Sequence, residues 1–229
     1  MYSRNRHGPA IRRGAGVLAL LLAMGLILVP DARADGRADP IHRRDGVIFG
    51  VGFGVSQGKV TLFPGEEDLT VESGWKAGVV PQLRLGYAVV KNRLLVMIAN
   101  QQWLYEQGVL AENKMRINAQ NWNLVLNWYP GNLNNYWGGL YFQAGAGYAN
   151  NRLTLLEPIE DDPHGNKFEE VYKVDEEGIA YQVGIGYEFR LGKSVAAGVA
   201  AGYIQQDIDG TIFKESSAFP FNLTLNWYW

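Results

Sequence analysis

The 229-residue sequence contains no cysteine. This absence excludes disulfide bridges, thiolate metal sites and a lipid anchor attached to a cysteine. It also suits a chain that must cross an oxidising compartment without forming wrong disulfides. Histidine is nearly absent too, since only His7, His42 and His164 occur. None lies in a segment with strand periodicity, so a histidine base held on a rigid strand is not expected.

Only one long apolar run occurs, from Ala15 to Val29, and at about fifteen residues it is short for a membrane helix. Arginines precede this run, Pro30 ends it, and Ala32-Arg33-Ala34 fits the small-residue rule for signal-peptide cleavage. An uncleaved anchor helix is the alternative. We interpret residues 1–34 as a cleaved signal peptide, residues 35–45 as a short polar lead-in and residues 46–229 as one domain.

The chain without residues 1–34 also has no excess of positive charge. Removal of residues 1–34 leaves 16 basic and 22 acidic residues, a net charge of about −6. A nucleic-acid-binding protein should present a basic surface, so we expect no nucleic-acid partner.

Strict alternation of apolar and polar residues is the main signal in the rest of the chain. In Phe219–Trp229, every second residue from Phe219 is apolar, which is typical of a strand with two different faces. Seven more segments are predicted as strands: Val47–Gln57, Trp75–Val89, Leu94–Tyr105, Ile117–Tyr129, Gly139–Asn150, Gly178–Arg190 and Val195–Gln206. The faces of the third strand stay unassigned, because Leu94–Ile98 is apolar throughout.

The predicted connections alternate in length. Long polar connections follow the first, third, fifth and seventh strands, at residues 59–74, 108–116, 151–177 and 207–217. Short turns follow the other strands, as at Lys91-Asn92 and Gly192-Lys193. This pattern predicts an all-β, eight-stranded, antiparallel up-and-down barrel.

The two faces of the predicted strands differ in size, and this difference indicates which face is outside. One face carries large apolar residues, and the other is dominated by glycine, alanine, asparagine and glutamine. The interior of an eight-stranded barrel has room only for its own side chains, so the small polar face should lie inside and the apolar face should meet lipid. A soluble barrel of the lipocalin kind is the alternative.

Aromatic residues lie near both ends of the apolar faces, as expected for two girdles at the membrane interfaces. The predicted girdle at the turn end is Tyr87, Trp128, Phe142, Tyr187, Phe189, Trp227 and Trp229. The predicted girdle at the loop end is Trp75, Tyr148, Tyr203 and Phe219, with Trp103 as a further candidate.

The chain resembles the small eight-stranded outer-membrane barrels of Gram-negative bacteria, the class of the OmpA transmembrane domain, OmpX and OmpW. The last strand carries the resemblance, because its alternating apolar residues and terminal aromatic are similar to the assembly signal of that class. The matching residues are Phe221, Leu223, Leu225, Trp227 and Trp229; the class more often ends in Phe. The resemblance implies an integral outer-membrane location, contact with outer-membrane lipid and lipopolysaccharide, and recognition by the assembly machinery. An extracellular partner is not indicated.

Candidate site residues lie on the predicted inner face. Arg84 and Glu188 are expected to form an ion pair across the lumen, supported by Gln82, Gln143, Gln182 and Arg190. These groups either satisfy one another and plug the lumen or form a gate in a narrow polar path. We expect the plug, and with it a structural or surface-interaction role. The alternative is a narrow channel for small or apolar solutes.

The segment 151–177 carries nine acidic residues against three basic ones. Divalent cations prefer such oxygen ligands, but the spacing is not that of an EF-hand, and charge runs usually form solvated loops. We therefore predict a solvated loop, with no metal and no cofactor. Some barrels of this size modify lipid A, which makes an enzyme the least favoured alternative. His164 and the Asp161/Asp162 pair lie in this segment without a rigid support, so no catalytic residue is predicted.

Overall fold

The computed structural model describes residues 44–62, 71–72, 74–108, 114–131, 136–158 and 168–229. The predicted signal peptide and residues 35–43 of the predicted lead-in lie outside these ranges. His164 and the Asp161/Asp162 pair lie outside them as well. No helix within the described ranges is long and apolar enough to cross a membrane.

Eight long antiparallel strands form the described chain. They are β1 (Val47–Leu62), β2 (Lys76–Val90), β3 (Leu94–Gly108), β4 (Lys114–Trp128), β5 (Leu140–Pro158), β6 (Phe168–Arg190), β7 (Val195–Ile208) and β8 (Phe213–Tyr228). Each strand pairs with the next, and β1 also pairs with β8, so the sheet closes into a barrel. A two-residue strand, Val71–Glu72, pairs with the end of β1, and a 3-10 helix, Tyr136–Gly139, precedes β5. The predicted eight-stranded up-and-down barrel is confirmed.

The seam between β1 and β8 runs from the pair Ile48–Tyr228 to the pair Leu62–Phe213. Next to the pair Ile48–Tyr228, the amide of Val47 donates to the carbonyl of Trp229 at 3.1 Å, and the amide of Trp229 donates to the carbonyl of Val47 at 3.0 Å. Gly46 has a positive φ of 69°, and a Cβ there would collide with the carbonyl of Trp229. Glycine at this position therefore allows the chain to enter β1 directly beside the C-terminal residue.

The alternation in the sequence gives the two faces that it predicts. In β4, Leu124 is 58% exposed on the outer wall, whereas Asn123 and Asn127 are almost fully buried inside. The same order holds in β2, where the apolar Leu85 faces outward and Arg84 faces inward. Closure satisfies the backbone groups within the wall and leaves an apolar outer surface, which is the arrangement that a bilayer requires.

The third strand, whose faces the sequence left open, puts Leu95, Met97 and Trp103 inside the barrel, each less than 5% exposed. Ile98 faces outward and is 55% exposed. The suggestion that Trp103 belongs to the outer aromatic girdle is therefore wrong. The lumen therefore holds large apolar side chains at this strand, in addition to the small and polar ones predicted for the inner face of the barrel.

The strands are longer than predicted at the loop end. β5 and β6 remain paired from Leu140–Tyr187 as far as Pro158–Phe168, so most of the predicted loop 151–177 is a β-hairpin. Most of the predicted loop 207–217 is likewise strand, and strands also extend into the predicted loop 108–116, as far as Gly108 from one side and from Lys114 on the other. Charged residues in these segments pair across the ladder, as between Arg116 and Glu106. The polar composition of these segments predicted loops, but opposite charges that pair across neighbouring strands stabilise strands there instead.

Candidate functional site

The carboxylate of Glu188 is the centre of a buried polar cluster near the turn end of the lumen. One oxygen of Glu188 accepts hydrogen bonds from the Asn226 amide and the Tyr228 hydroxyl, both at 2.7 Å. The other oxygen accepts from Nε of Arg44 at 2.8 Å. Glu188 is 4% exposed. A buried carboxylate is tolerated only when it is paired and hydrogen-bonded in this way.

Arg44 belongs to the segment that precedes β1, and its side chain is fully inserted into the base of the barrel. Its guanidinium lies 3.6 Å from the centre of the Tyr129 ring and donates to the carbonyl of Gly138 at 2.8 Å. Its backbone amide donates to the side chain of Asn92, in the β2–β3 turn, at 2.6 Å. Glu188 therefore joins the segment before β1 to the closing strand β8. The sequence predicted only a short polar lead-in here, with no role in the barrel.

The other two lumenal arginines occupy different positions from those expected. Arg190 reaches Glu188 only at 3.9 Å, too far for a hydrogen bond, and lies over the Tyr228 ring at 4.2 Å. Arg84 is 2% exposed and lies beside the Tyr141 phenol, but no ion pair within the described ranges includes it. The expected Arg84–Glu188 pair is thus not formed: Arg44 takes the place predicted for Arg84.

A band of amide side chains crosses the lumen above this cluster. Gln182 accepts from Asn123 at 2.7 Å, and Gln82 donates to Gln101 at 3.4 Å. Gln143 lines the same small cavity as Gln82 and Gln182, and this cavity has a volume of about 20 Å³. The structure therefore brings the three predicted glutamines together, on the loop side of the cluster around Glu188.

The loop end of the lumen is filled by apolar side chains around Trp103. Its neighbours in this cluster include Val60, Ile117, Leu153 and Phe213, all buried. The indole lies over Gly58, where an added Cβ would come within 2.7 Å of the ring. A cavity beside Trp103 has a volume of about 10 Å³. Both cavities are near the minimum that holds one water molecule.

The predicted assembly signal lies on β8 and on the residue after it. Four of its members follow the predicted outward register and are largely or partly exposed: Phe221, Leu223, Leu225 and Trp229. Trp227 is only 3% exposed, and its ring lies 5.7 Å from that of Phe49. Trp227 therefore does not present its ring in the way predicted for the girdle at the turn end. The exposed rings of Trp128 and Phe142, 5.9 Å apart, do lie at that level.

Charges on the loop-end extensions lie outside the lumen. Asp175 pairs with Arg152 on the outer face of the β5–β6 hairpin, and this contact holds the pKa of Asp175 below its ordinary value. Glu176 accepts hydrogen bonds from the backbone amides of Ile212 and Phe213 at 2.9 and 2.6 Å. Burial opposes ionisation of Glu176, but these donors and Thr211 outweigh it and lower its pKa. Among the described residues, no acidic or histidine cluster is arranged to hold a metal ion.

Sequence reasoning missed Arg44 and Trp103, the residues that fill the two ends of the lumen. A signal for Trp103 was present, because Gly58 and Gly78 both lie against its indole and leave room for a large side chain. Arg44 carried no such signal. It stands outside any periodic segment, and its partner Glu188 is 144 residues away.

No protein-family model matches the chain, and no curated protein matches it. Among solved structures, it is similar to Ail, the attachment invasion locus protein of Yersinia pestis. The identity is 11% and the TM-score is 0.50, over 80% of this chain and 99% of Ail. For Neisserial surface protein A the identity is 13% and the TM-score 0.46, over 79% and 97% of the two chains.

At these identities the likeness concerns the fold alone. It agrees with the closed sheet and the apolar outer wall, both of which are observed independently in this chain. An integral outer-membrane location agrees with the same features, and the short turns then mark the periplasmic end. The chain has the fold of the small eight-stranded outer-membrane β-barrels.

Proposed function

We propose that this protein is a closed outer-membrane barrel with a structural or surface-interaction role and no open diffusion path. The observation that carries the proposal is the filling of the lumen at two levels. The Arg44–Glu188 pair occupies the periplasmic end, and the cluster around Trp103 occupies the extracellular end. Two small cavities in the lumen, one beside Trp103 and one among the glutamines, have volumes of only about 10 and 20 Å³.

The extracellular extension of β5 and β6 is the surface best suited to interaction. From Tyr148, at the level of the outer girdle, β5 continues to Pro158, which is roughly 30 Å along the strand. On the returning strand, Val171 and Tyr172 are 45% and 46% exposed, and Glu169 and Glu170 are also exposed. Exposed apolar side chains rimmed by charges are typical of recognition surfaces.

The partners that we propose follow from the outer wall. Its apolar band is suited to outer-membrane lipid, and its outer aromatic residues, such as Trp75 and Phe219, are suited to the lipopolysaccharide interface. The alternating residues of β8 support recognition of this strand by the assembly machinery.

Planar-bilayer recording tests the closed-barrel proposal. The refolded protein should show no discrete, reproducible openings, with a known porin as the positive control. Regular openings of constant size would instead support a narrow channel.

A deletion tests the interaction surface. A barrel shortened at the tip of the β5–β6 hairpin, between Thr154 and Lys173, should stay folded, as shown by heat-modifiable gel migration. The same deletion should abolish any cell-surface binding that the full chain confers.

A further inference from the structure

The base of the lumen contains more positive charge than its own carboxylate can balance. Arg44 and Arg84 are 1% and 2% exposed, and Glu188 is 4% exposed. The side chain of Arg190 is 8% exposed. Among the described residues, three buried guanidinium groups thus accompany one buried carboxylate, and only that of Arg44 is hydrogen-bonded to it, which leaves two positive charges without such a partner. Such charges are costly unless a counter-ion or strong hydrogen bonds compensate them.

Many guanidinium nitrogens in this cluster have no hydrogen-bond acceptor among the described residues. They are Nη1 of Arg44, Nε and Nη2 of Arg84, and all three nitrogens of Arg190. Tyr129 and Tyr228 lie under two of the cations. A ring face attracts a cation but does not take the place of an in-plane acceptor for each N–H group. The hydroxyls of Tyr129 and Tyr141 are buried as well, and neither donates a hydrogen bond to another described residue, so both can donate to a ligand.

Arg84 and Arg190 reach the same cluster from different strands. Arg84 lies beside the phenol of Tyr141, whose ring lies against Gly186 on β6. Arg190 lies four residues further along β6, with its guanidinium 3.9 Å from the carboxylate of Glu188. The strands of the two arginines, β2 and β6, lie on opposite walls of an eight-stranded barrel, whose interior is about as wide as its side chains can fill. The two side chains therefore enter the base of the lumen from opposite walls.

We propose that the base of the lumen is a binding site for a small inorganic anion, held by Arg84 and Arg190 and neutralising the excess charge. Guanidinium groups are well suited to such ligands, because they present several N–H donors in a fixed plane. Arg44 remains committed to Glu188 and Gly138, so the anion would complete the cluster without displacing that pair. The ligand would enter from the periplasmic end, past the short turns.

Bromide tests the site directly in the unmodified protein. Crystals of the refolded full barrel grown with sodium bromide should show an anomalous-scattering peak about 3–3.5 Å from nitrogens of both Arg84 and Arg190. The absence of a peak at this position, with bromide visible elsewhere in the same crystal, would overturn the proposal.

Urea unfolding in zwitterionic micelles supplies the solution test. At constant ionic strength, replacing gluconate by chloride should raise the unfolding midpoint along a saturable curve, because the ligand binds only the folded state. Arg190→Met keeps an unbranched apolar side chain but removes the guanidinium group, and it should flatten the curve. Lys193→Met removes one positive charge from the exposed β6–β7 turn and should leave the curve unchanged. A chloride dependence that is equal in wild type and Arg190→Met would contradict the proposal. If Arg190→Met does not fold, Arg84→Lys replaces it, and the same weakening of the chloride dependence is expected.

Discussion

At the periplasmic end of the barrel the lumen is filled by arginines gathered around one carboxylate, whereas at the extracellular end it is filled by an indole packed among aliphatic side chains. The carboxylate of Glu188 receives three hydrogen bonds, and Trp103 instead contacts apolar neighbours and two glycines. The first arrangement depends on which groups pair, and the second depends on volume and shape. Both close the same lumen.

The two ends of the lumen should therefore tolerate substitutions differently. Replacing an apolar side chain leaves a cavity whose cost grows with the volume lost. Removing one member of a buried ion pair leaves a charge without a partner, which is costly whatever the size of the new residue. Glu188 also joins the segment before β1 to β8, so the charged end links the two edges that close the barrel.

The largest expected effect comes from Glu188→Gln, which keeps the size of the side chain and removes its charge. Arg44 would then lose the carboxylate to which it is hydrogen-bonded, and we expect unfolding to become easier by about 3–5 kcal/mol. Urea titration followed by heat-modifiable gel migration measures this loss. Glu177→Gln, on the same strand but exposed, should change stability by less than about 0.5 kcal/mol.

A double-mutant cycle sharpens the same comparison. If the charged end depends on pairing, Arg44→Met should cost much less in the Glu188→Gln background than in the wild type, because the two side chains share one interaction. Additive losses would show that Arg44 and Glu188 contribute independently, and the closure of the periplasmic end would need another explanation.

Trp103→Ala tests the apolar end and should cost about 3 kcal/mol, within the range for large-to-small changes in packed interiors. This loss of stability should not depend on the salt concentration. The loss caused by Glu188→Gln should change with ionic strength, to the extent that ions reach the cluster. Trp103→Phe keeps most of the ring and should lose about 1 kcal/mol. A strong salt dependence of Trp103→Ala would contradict the division into a charged end and an apolar end.

The sequence allowed the wall of the barrel to be predicted well. A strand places alternate residues on opposite faces, so Leu124 and Asn123 could be assigned to the outside and the inside without any tertiary information. The same reasoning failed in β3, where Leu94–Ile98 is apolar on both faces, and it therefore misplaced Trp103.

The site could be predicted only in part, because its decisive contacts are not local. Gln82, Gln143 and Gln182 were placed correctly in the lumen by periodicity. Periodicity cannot say which of several buried arginines meets Glu188, and Arg44 lies before the first strand. The sequence also predicted β5 and β6 to be shorter than they are. Charged residues that pair across the two strands, such as Arg152 and Asp175, make these segments as polar as loops.

The smallest expected effect concerns Glu176, a hydrogen-bonded carboxylate at the extracellular end and outside the lumen. Its pKa is lower in the folded state than the ordinary 4.5. Its contribution is therefore fully present above about pH 4.5 and is lost as the pH falls through the lower folded-state value. Because the group is only half-buried, we expect a local effect of about 1 kcal/mol.

Hydrogen exchange of the Ile212 and Phe213 amides measures this contribution, since both donate to Glu176. After correction for the intrinsic rate, their protection should fall in acid, and Glu176→Gln should lower it at neutral pH and remove the acid dependence. Glu177→Gln is the matched control one residue along the strand and should leave both amides unchanged. If acid also reduced protection in Glu176→Gln, the titrating group would lie elsewhere. The extracellular end would then depend on charge in a way that its apolar lumen does not suggest.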